Sequence, residues 1–227
     1  MPDLVLPAPH TPTVPVEGGG DFPVRRIFCV GRNYGAHVRE MGGDEKANPP
    51  IFFTKPADAV VTGGADIPYP SATQDLHHEI ELVIALRSGG RDIAPADALA
   101  CVFGYAAGVD LTRRDLQGLA KKGGQPWDAA KAFDRSAPLG LLRRAEGAEA
   151  PGGDIALTVD GEARQSAALS DMIWSVPEII AEASRLWELK AGDLIFTGTP
   201  EGVGAIPRGG RVEGRVADLA PVAFTVV

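Results

Sequence analysis

The chain has 227 residues, 44% hydrophobic and 23% charged, an ordinary globular composition that fits a single core. A formal net charge of -8 argues against nucleic acid or an anionic membrane surface as a partner, because both demand clustered Lys and Arg. No apolar run reaches the length of a membrane span, and no basic segment followed by an apolar stretch opens the chain, so a cytoplasmic protein is expected.

In chain order, residues 1–24 are rich in Pro and Gly without usable periodicity and read as an irregular N-terminal arm, ordered structure starting at Val24. Residues 27–30 read as a buried strand, and Asn33 as the N-cap of a short helix over 34–41. A strand over 51–54 ends at Lys55-Pro56, since proline cannot continue a central strand. Residues 75–86 read as one strand, buried on both faces along Leu82-Val83-Ile84-Ala85-Leu86. A short helix over 94–100, a buried segment over 101–109 and helical character over 111–121 follow, and Gly123-Gly124-Gln125-Pro126 then makes the chain irregular to about Pro138. Asp160-Gly161 marks a hairpin between 155–160 and 162–165. Residues 176–189 carry an apolar stripe, Ile179, Ile180, Ala183, Leu186 and Trp187, that is core packing. Strands over 194–197, 211–216 and 222–227 complete a mixed α/β but β-rich fold with a few short helices. Cys29 and Cys101 lie in apolar runs and read as two reduced core thiols.

The chemistry concentrates in five places. Glu79 and Glu81 stand two residues apart at the edge of an apolar strand, where period-2 geometry aims both at one face and their like charges need a cation or raised pKa values. Asp110 ends the next buried run and is the natural third ligand; an all-oxygen set suits Mg²⁺, Mn²⁺ or Ca²⁺ rather than Zn²⁺. Taken alone, a Glu-x-Glu pair is more often a solvated strand end. His37 and Glu40, spaced i, i+3, form a dyad able to activate water, although exposed helix faces carry such pairs by chance. Lys55 and Lys131 sit among apolar or small residues, where either could stabilise an oxyanion or merely lay its stem along the core edge. Arg113-Arg114 and Lys121-Lys122 are basic islands able, with a divalent cation, to hold an acidic small molecule, or else a solvated helix face. Residues 197–204 are Gly-rich without the ending of a phosphate loop, and their hydroxyls and N–H groups suit a carboxylate.

Six segments together resemble the fumarylacetoacetate hydrolase family: Gly31-Arg32-Asn33-Tyr34 with His37 and Glu40; Phe53-Thr54-Lys55-Pro56; His77-His78-Glu79-Ile80-Glu81-Leu82; Asp110-Leu111-Thr112-Arg113-Arg114 continuing to Gln117; Lys131-Ala132-Phe133-Asp134; and Thr197-Gly198-Thr199-Pro200-Glu201-Gly202. The resemblance implies a mixed β-sandwich or roll over residues 25–227, a homodimer, and a Mg²⁺ or Mn²⁺ site formed by Glu79, Glu81 and Asp110. The Gly31-Arg32-Asn33-Tyr34 motif offers no aspartate as a fourth carboxylate, so the chain looks like the smaller acylpyruvate hydrolase branch, and within it most like the fumarylpyruvate hydrolases of gentisate degradation. His37, Glu40 and Lys131 are then the expected catalytic residues, and Arg32, Tyr34, Lys55, Arg114, Gln117 and Thr199 the expected contacts to a 2,4-dioxo acid. Oxaloacetate decarboxylation or keto-enol tautomerisation on the same metal, or metal-dependent binding without turnover, are the rival expectations. His77 and His78 become neighbours of the site rather than ligands.

Overall fold

The computed structural model describes residues 5–35, 46, 48–146 and 149–227. A six-stranded sheet runs through its middle in the order Arg143–Arg144, Val102–Val109, Ile80–Leu86, Asp193–Phe196, Arg26–Gly31, Ile51–Lys55. Asp193–Phe196 pairs parallel to Arg26–Gly31, and every other neighbour is antiparallel. Strand alternation builds a core on each face: Ile80, Leu82, Ile84 and Leu86 enter one, Val83 and Ala85 the other. The first core is closed by the four-stranded antiparallel sheet Glu162–Ala168, Asp154–Val159, Arg211–Val216, Val222–Thr225 and by the Val176–Leu186 helix. This is the mixed, sheet-rich architecture expected.

The second face is covered in part by the segment expected to be an irregular arm. Thr13–Pro15 and Asp21–Pro23 pair as a hairpin around Gly18, Gly19 and Gly20, all at positive φ, and bury Val14, Val16, Phe22 and Val24. The short alternation of Val14 with Val16 and Phe22 with Val24 carries the strand signal that the Pro and Gly content hides. Ordered structure therefore begins well before Val24.

Four further expectations are corrected. The strand read over 75–86 is two strands, Leu76–His78 and Ile80–Leu86, because the first pairs with Thr112–Arg113 and Gly204–Ala205 in a separate small sheet. Helix over 111–121 gives way to Thr112–Arg113 in that sheet, followed by a helix at Arg114–Gly123. The stretch after Pro126 contains the Asp128–Lys131 helix. The Val176–Leu186 helix ends earlier than expected because Trp187 turns extended and lays its ring against Phe28 and Phe52, with centroids 4.9 and 5.6 Å away. Cys29 is buried, whereas Cys101 is half-buried. The helix expected over 34–41 lies largely outside the described residues, and the Asn33 side chain bonds to other elements: Nδ2 donates to Thr197 O and Trp174 O, and Oδ1 accepts from Trp174 N.

Candidate metal centre and cavity

The break between Leu76–His78 and Ile80–Leu86 leaves Glu79 at the seam of two sheets, and Glu81 one pleat further on. Antiparallel register sets Ile80 opposite Val109 and Glu81 opposite Gly108, so Asp110, one residue past the partner strand, arrives beside Glu79, whose carbonyl accepts the Asp110 N–H at 2.8 Å. Gly108 is required there: a Cβ would lie 2.6 Å from Val83 Cγ2. One oxygen from each of Glu79, Glu81 and Asp110 can be chosen so that all three lie within 4.8 Å of one another. Their exposures of 8%, 1% and 0% remove the solvated-strand-end reading.

Lysines balance these carboxylates. Lys131 Nζ, on the Asp128–Lys131 helix, lies 2.7 Å from Glu79 Oε2 and 2.5 Å from Asp110 Oδ2, and Lys55 Nζ lies 2.8 Å from Asp110 Oδ1. Burial would lift the Glu79 carboxyl, but Lys131 and Arg114 outweigh it and hold the pKa at about 2. Burial works against the Lys131 ammonium too, yet Asp110 and Glu79 raise its pKa above the ordinary lysine value. Glu81 has no such partner. Burial, then the charges of Asp110 and Glu79, push its pKa well up; Oε2 accepts from Gly198 N at 2.7 Å, and Oε1 has no hydrogen-bond partner among the described residues. An orphaned, buried carboxylate oxygen beside two others is what a divalent cation would satisfy, so the residues present fit such an ion.

Above the carboxylates opens a cavity of about 470 Å³. Its lining includes Glu79, Arg32, Tyr34, Arg114, Gln117, Lys131 and Thr199 from the sequence reading, with Phe53, Trp127, Lys121 and Glu201 beside them. Glu81 and Asp110 lie beneath the floor. Lys55 does not line the cavity; its ammonium is fully buried, donating to Leu111 O and to the carbonyl of Lys131, so it braces Asp110 and the Lys131 helix from below. His37 and Glu40 lie outside the described residues. Arg114 is held on three sides, with Nη2 at 2.6 Å from Glu79 Oε1, Nη1 donating to Gln117 Oε1 at 2.6 Å and Nε donating to His77 Nδ1 at 3.2 Å. His77 in turn meets Asp75 Oδ1 through Nε2 at 2.9 Å. Arg32 reaches the rim from a left-handed backbone (φ 60°). Burial, with Arg114 and Arg32 adding, lowers the Lys121 pKa, an environment that an anion would relieve. The Tyr34 hydroxyl is buried without a hydrogen-bond partner among the described residues, and burial followed by the Glu81 charge raises its pKa.

Trp127 and Gln165 escape the sequence reading as site residues. Trp127 forms an aromatic wall, with Lys121 Nζ 5.1 Å from its ring centroid. Gln165 lies on the Glu162–Ala168 strand, is 2% exposed, and joins the Ile80 N–H to the loop bearing Thr199. Gly124-Gln125-Pro126 ahead of Trp127 was the available signal for the first, and nothing in the local pattern marks the second.

Buried carboxylates beneath a cavity rimmed with cations define a metal-dependent enzyme. The chain belongs to the fumarylacetoacetate hydrolase family, matching the domain described as Fumarylacetoacetate (FAA) hydrolase C-terminal over residues 26–227. It is 40% identical to a fumarylpyruvate hydrolase of Ralstonia sp over 183 residues, 81% of this chain and 95% of that one. It is also 40% identical to an oxaloacetate tautomerase of Escherichia coli (strain K12) over 191 residues, 83% of this chain and 87% of that one. The crystal structure of fumarylpyruvate hydrolase from Pseudomonas aeruginosa in complex with Mn²⁺ and pyruvate superposes with a TM-score of 0.93 at 48% identity, covering 99% of both chains.

Proposed function

We propose that the chain is a divalent-metal-dependent hydrolase that cleaves the carbon–carbon bond of a 2,4-dioxo acid, with fumarylpyruvate, yielding fumarate and pyruvate, as its main substrate. The observation that carries this reading is the juxtaposition of the buried Glu79, Glu81 and Asp110 set with a cavity lined by Arg32, Arg114, Lys121 and Lys131. The Ralstonia and Pseudomonas relatives support the choice of substrate. Glu79, Glu81 and Asp110 would hold Mg²⁺ or Mn²⁺, which when bound supplies Lewis-acid polarisation of the 2-oxo acid and stabilises developing negative charge.

The chain's own groups do the rest. Arg114, already fixed by Glu79, Gln117 and His77, presents a rigid fork toward the cavity, and Thr199 and Gln117 add polar contacts for a carboxylate. His37, paired with Glu40, takes the proton of a water that attacks the distal carbonyl. Lys131 donates to Glu79 and Asp110 and keeps a third N–H, which serves the oxyanion formed at that carbonyl. The C–C bond then breaks with its electron pair passing to the pyruvate fragment as an enolate; protonation of the methylene carbon releases pyruvate, and the attacked carbonyl leaves as the second acid. Trp127 and Phe53 wall the reacting carbons from water. A homodimer belongs to the same proposal, and light scattering of the purified chain checks it.

The E. coli relative favours a second reading, keto-enol tautomerisation of oxaloacetate on the same residues. Rates on fumarylpyruvate, acetylpyruvate and enol-oxaloacetate, each with Mg²⁺, with Mn²⁺ and with chelator, decide between them. Loss of fumarylpyruvate absorbance that requires the metal is expected. Stable fumarylpyruvate alongside rapid oxaloacetate tautomerisation or loss of carbon dioxide would replace the hydrolase assignment.

A further inference from the structure

We propose that Gln165 is a positioning residue that sets the polarity of the Thr199 hydroxyl, turning it into a hydrogen-bond donor toward the cavity, and ties that donor to the strand of the carboxylate ligands. The inference rests on the reading of the cavity as a 2-oxo acid site.

Gln165 is the one residue of Glu162–Ala168 that is buried; the others are exposed or half-buried. Its register explains this. Gln165 stands opposite the buried Leu157 and so shares its inward face, and the next pair, Thr158 with Ala163, leaves Arg164 as the extra residue of a bulge beside it. There it makes all four hydrogen bonds open to it: Oε1 accepts from Ile80 N at 3.1 Å and meets His78 Nδ1 at 2.9 Å, while Nε2 donates to Pro200 O at 2.9 Å and to Thr199 Oγ1 at 2.8 Å.

Two of these partners are main-chain groups with a single role. Ile80 N–H can only donate, so the oxygen must face it; Pro200 C=O can only accept, so the NH₂ must face that side. The orientation of the amide follows without choice, and with it the polarity of everything else it touches. Thr199 Oγ1 accepts, leaving its own proton for an acceptor elsewhere, and Thr199 lines the cavity. His78 must carry its proton on Nδ1. A carboxylate or 2-oxo oxygen in the cavity therefore meets a donor held in advance, with little ordering left for the moment of binding.

The loop is seated by two further contacts. Gly202, at φ +89°, lies so close to the bulge that a Cβ would fall 2.1 Å from Arg164 O, and Gly198 N donates to Glu81 Oε2. Residues 198–202 are thus fastened at one end to Glu81 and at the other to the bulge beside Gln165.

The test is a double-mutant cycle on the Mn²⁺-loaded protein, reading the Kd of pyruvate by calorimetry alongside KM and kcat for fumarylpyruvate. Thr199→Val should weaken pyruvate by about 10- to 100-fold, the range for one hydrogen bond to a charged group. Gln165→Met should weaken it about as much when Thr199 is present but by less than about twofold in the Thr199→Val background, because it acts through that hydroxyl. Thr199→Ser should bind as wild type does and stay sensitive to Gln165→Met. The Mn²⁺ affinity of the variants should not change. Gln165→Leu, uncharged and of similar size, carries the same test should Gln165→Met not fold. Multiplicative losses from Gln165 and Thr199 overturn the polarity assignment while leaving the hydrolase reading intact. A wild-type protein that neither binds pyruvate nor turns over fumarylpyruvate overturns the hydrolase reading and this inference with it.

Discussion

Lys131→Met should make the protein bind its metal more tightly while making it a poorer enzyme. The Lys131 ammonium, 2% exposed, lies 2.7 Å from Glu79 Oε2 and 2.5 Å from Asp110 Oδ2. Methionine fills the same volume without charge and leaves Asp110 with Lys55 alone and Glu79 with Arg114 alone, so that two cations face the three buried carboxylates. Removing one partner of a buried ion pair costs about 3–5 kcal/mol, which for a chain of this size lowers Tm by roughly 6–20 °C. A divalent cation held by the same oxygens restores the missing positive charge, so most of that loss should disappear on loading. Linkage then requires the recovered free energy to reappear as affinity, roughly 10²- to 10³-fold tighter Mn²⁺ binding. Turnover should fall by a similar factor, about 10²–10³, because an oxyanion donor is gone. Differential scanning calorimetry in chelator and in saturating Mn²⁺, with calorimetric titration of the metal, measures both halves. Mn²⁺ binding that is unchanged or weaker in Lys131→Met would refute the view that lysine and metal share these carboxylates.

Three other perturbations follow from the same contacts. Glu81→Gln should leave the metal-free protein no less stable, since glutamine mimics the neutral acid that burial, Asp110 and Glu79 favour there and still accepts from Gly198 N; Mn²⁺ affinity measured by titration should drop by more than the roughly 10–100-fold typical of outer-shell changes. Gly202→Ala should destabilise by at least about 2 kcal/mol, a Tm loss of about 4 °C or more, and raise KM as the Thr199 loop lifts from the bulge; an unaltered melting curve would contradict the 2.1 Å approach to Arg164 O. At the start of the Val176–Leu186 helix, Glu178 Oε2 accepts from Ser175 N and Oγ at 2.9 and 2.7 Å and Oε1 pairs with Lys46; these outweigh burial and hold its pKa below the ordinary value. A depressed folded pKa stabilises above the unfolded value of about 4.3 and loses that contribution as pH falls through the folded value, so Glu178→Gln should cost about 1 kcal/mol at pH 7 and nothing at acid pH, as denaturant titrations at both pH values will show.

The carboxylates were legible in the sequence because each sits where an apolar strand begins or ends, a place at which a charged side chain needs a reason. What brings Asp110 to Glu79 was not legible, because it depends on the register of Ile80–Leu86 with Val102–Val109. Period-2 reading also ran straight through Glu79, since the alternation continues across the break; only the partner strands in the small sheet show that the chain changes sheets there. Lys55 was recognisable as a lysine in apolar company, yet which side of the Ile51–Lys55 strand it faced decided its role, and it faces Asp110 from beneath the cavity. Gln165 needed its pairing opposite Leu157 and the approach of the Thr199 loop, neither of which the residue pattern announces. In the N-terminal hairpin the opposite happened: glycines read as disorder are the turn.

Charge balance connects the fold to the chemistry proposed for it. Glu79, Glu81 and Asp110, taken as ionised, face Lys55, Lys131 and Arg114, three charges of each sign, so the buried centre is neutral as a unit. The raised pKa of Glu81 shows where that balance is weakest, since the three cations pair with the other two carboxylates and leave Glu81 the Gly198 N–H. A divalent cation draws Glu81 into its ionised form and leaves the centre with two surplus positive charges, to which Arg32 and Lys121 add their own at the rim. A monoanion such as pyruvate neutralises half of that central surplus; a doubly charged 2,4-dioxo acid, or an enolate with its carboxylate, neutralises all of it. Under the proposed reading the centre is therefore electrostatically matched to a dianionic substrate and to the charge that develops during cleavage.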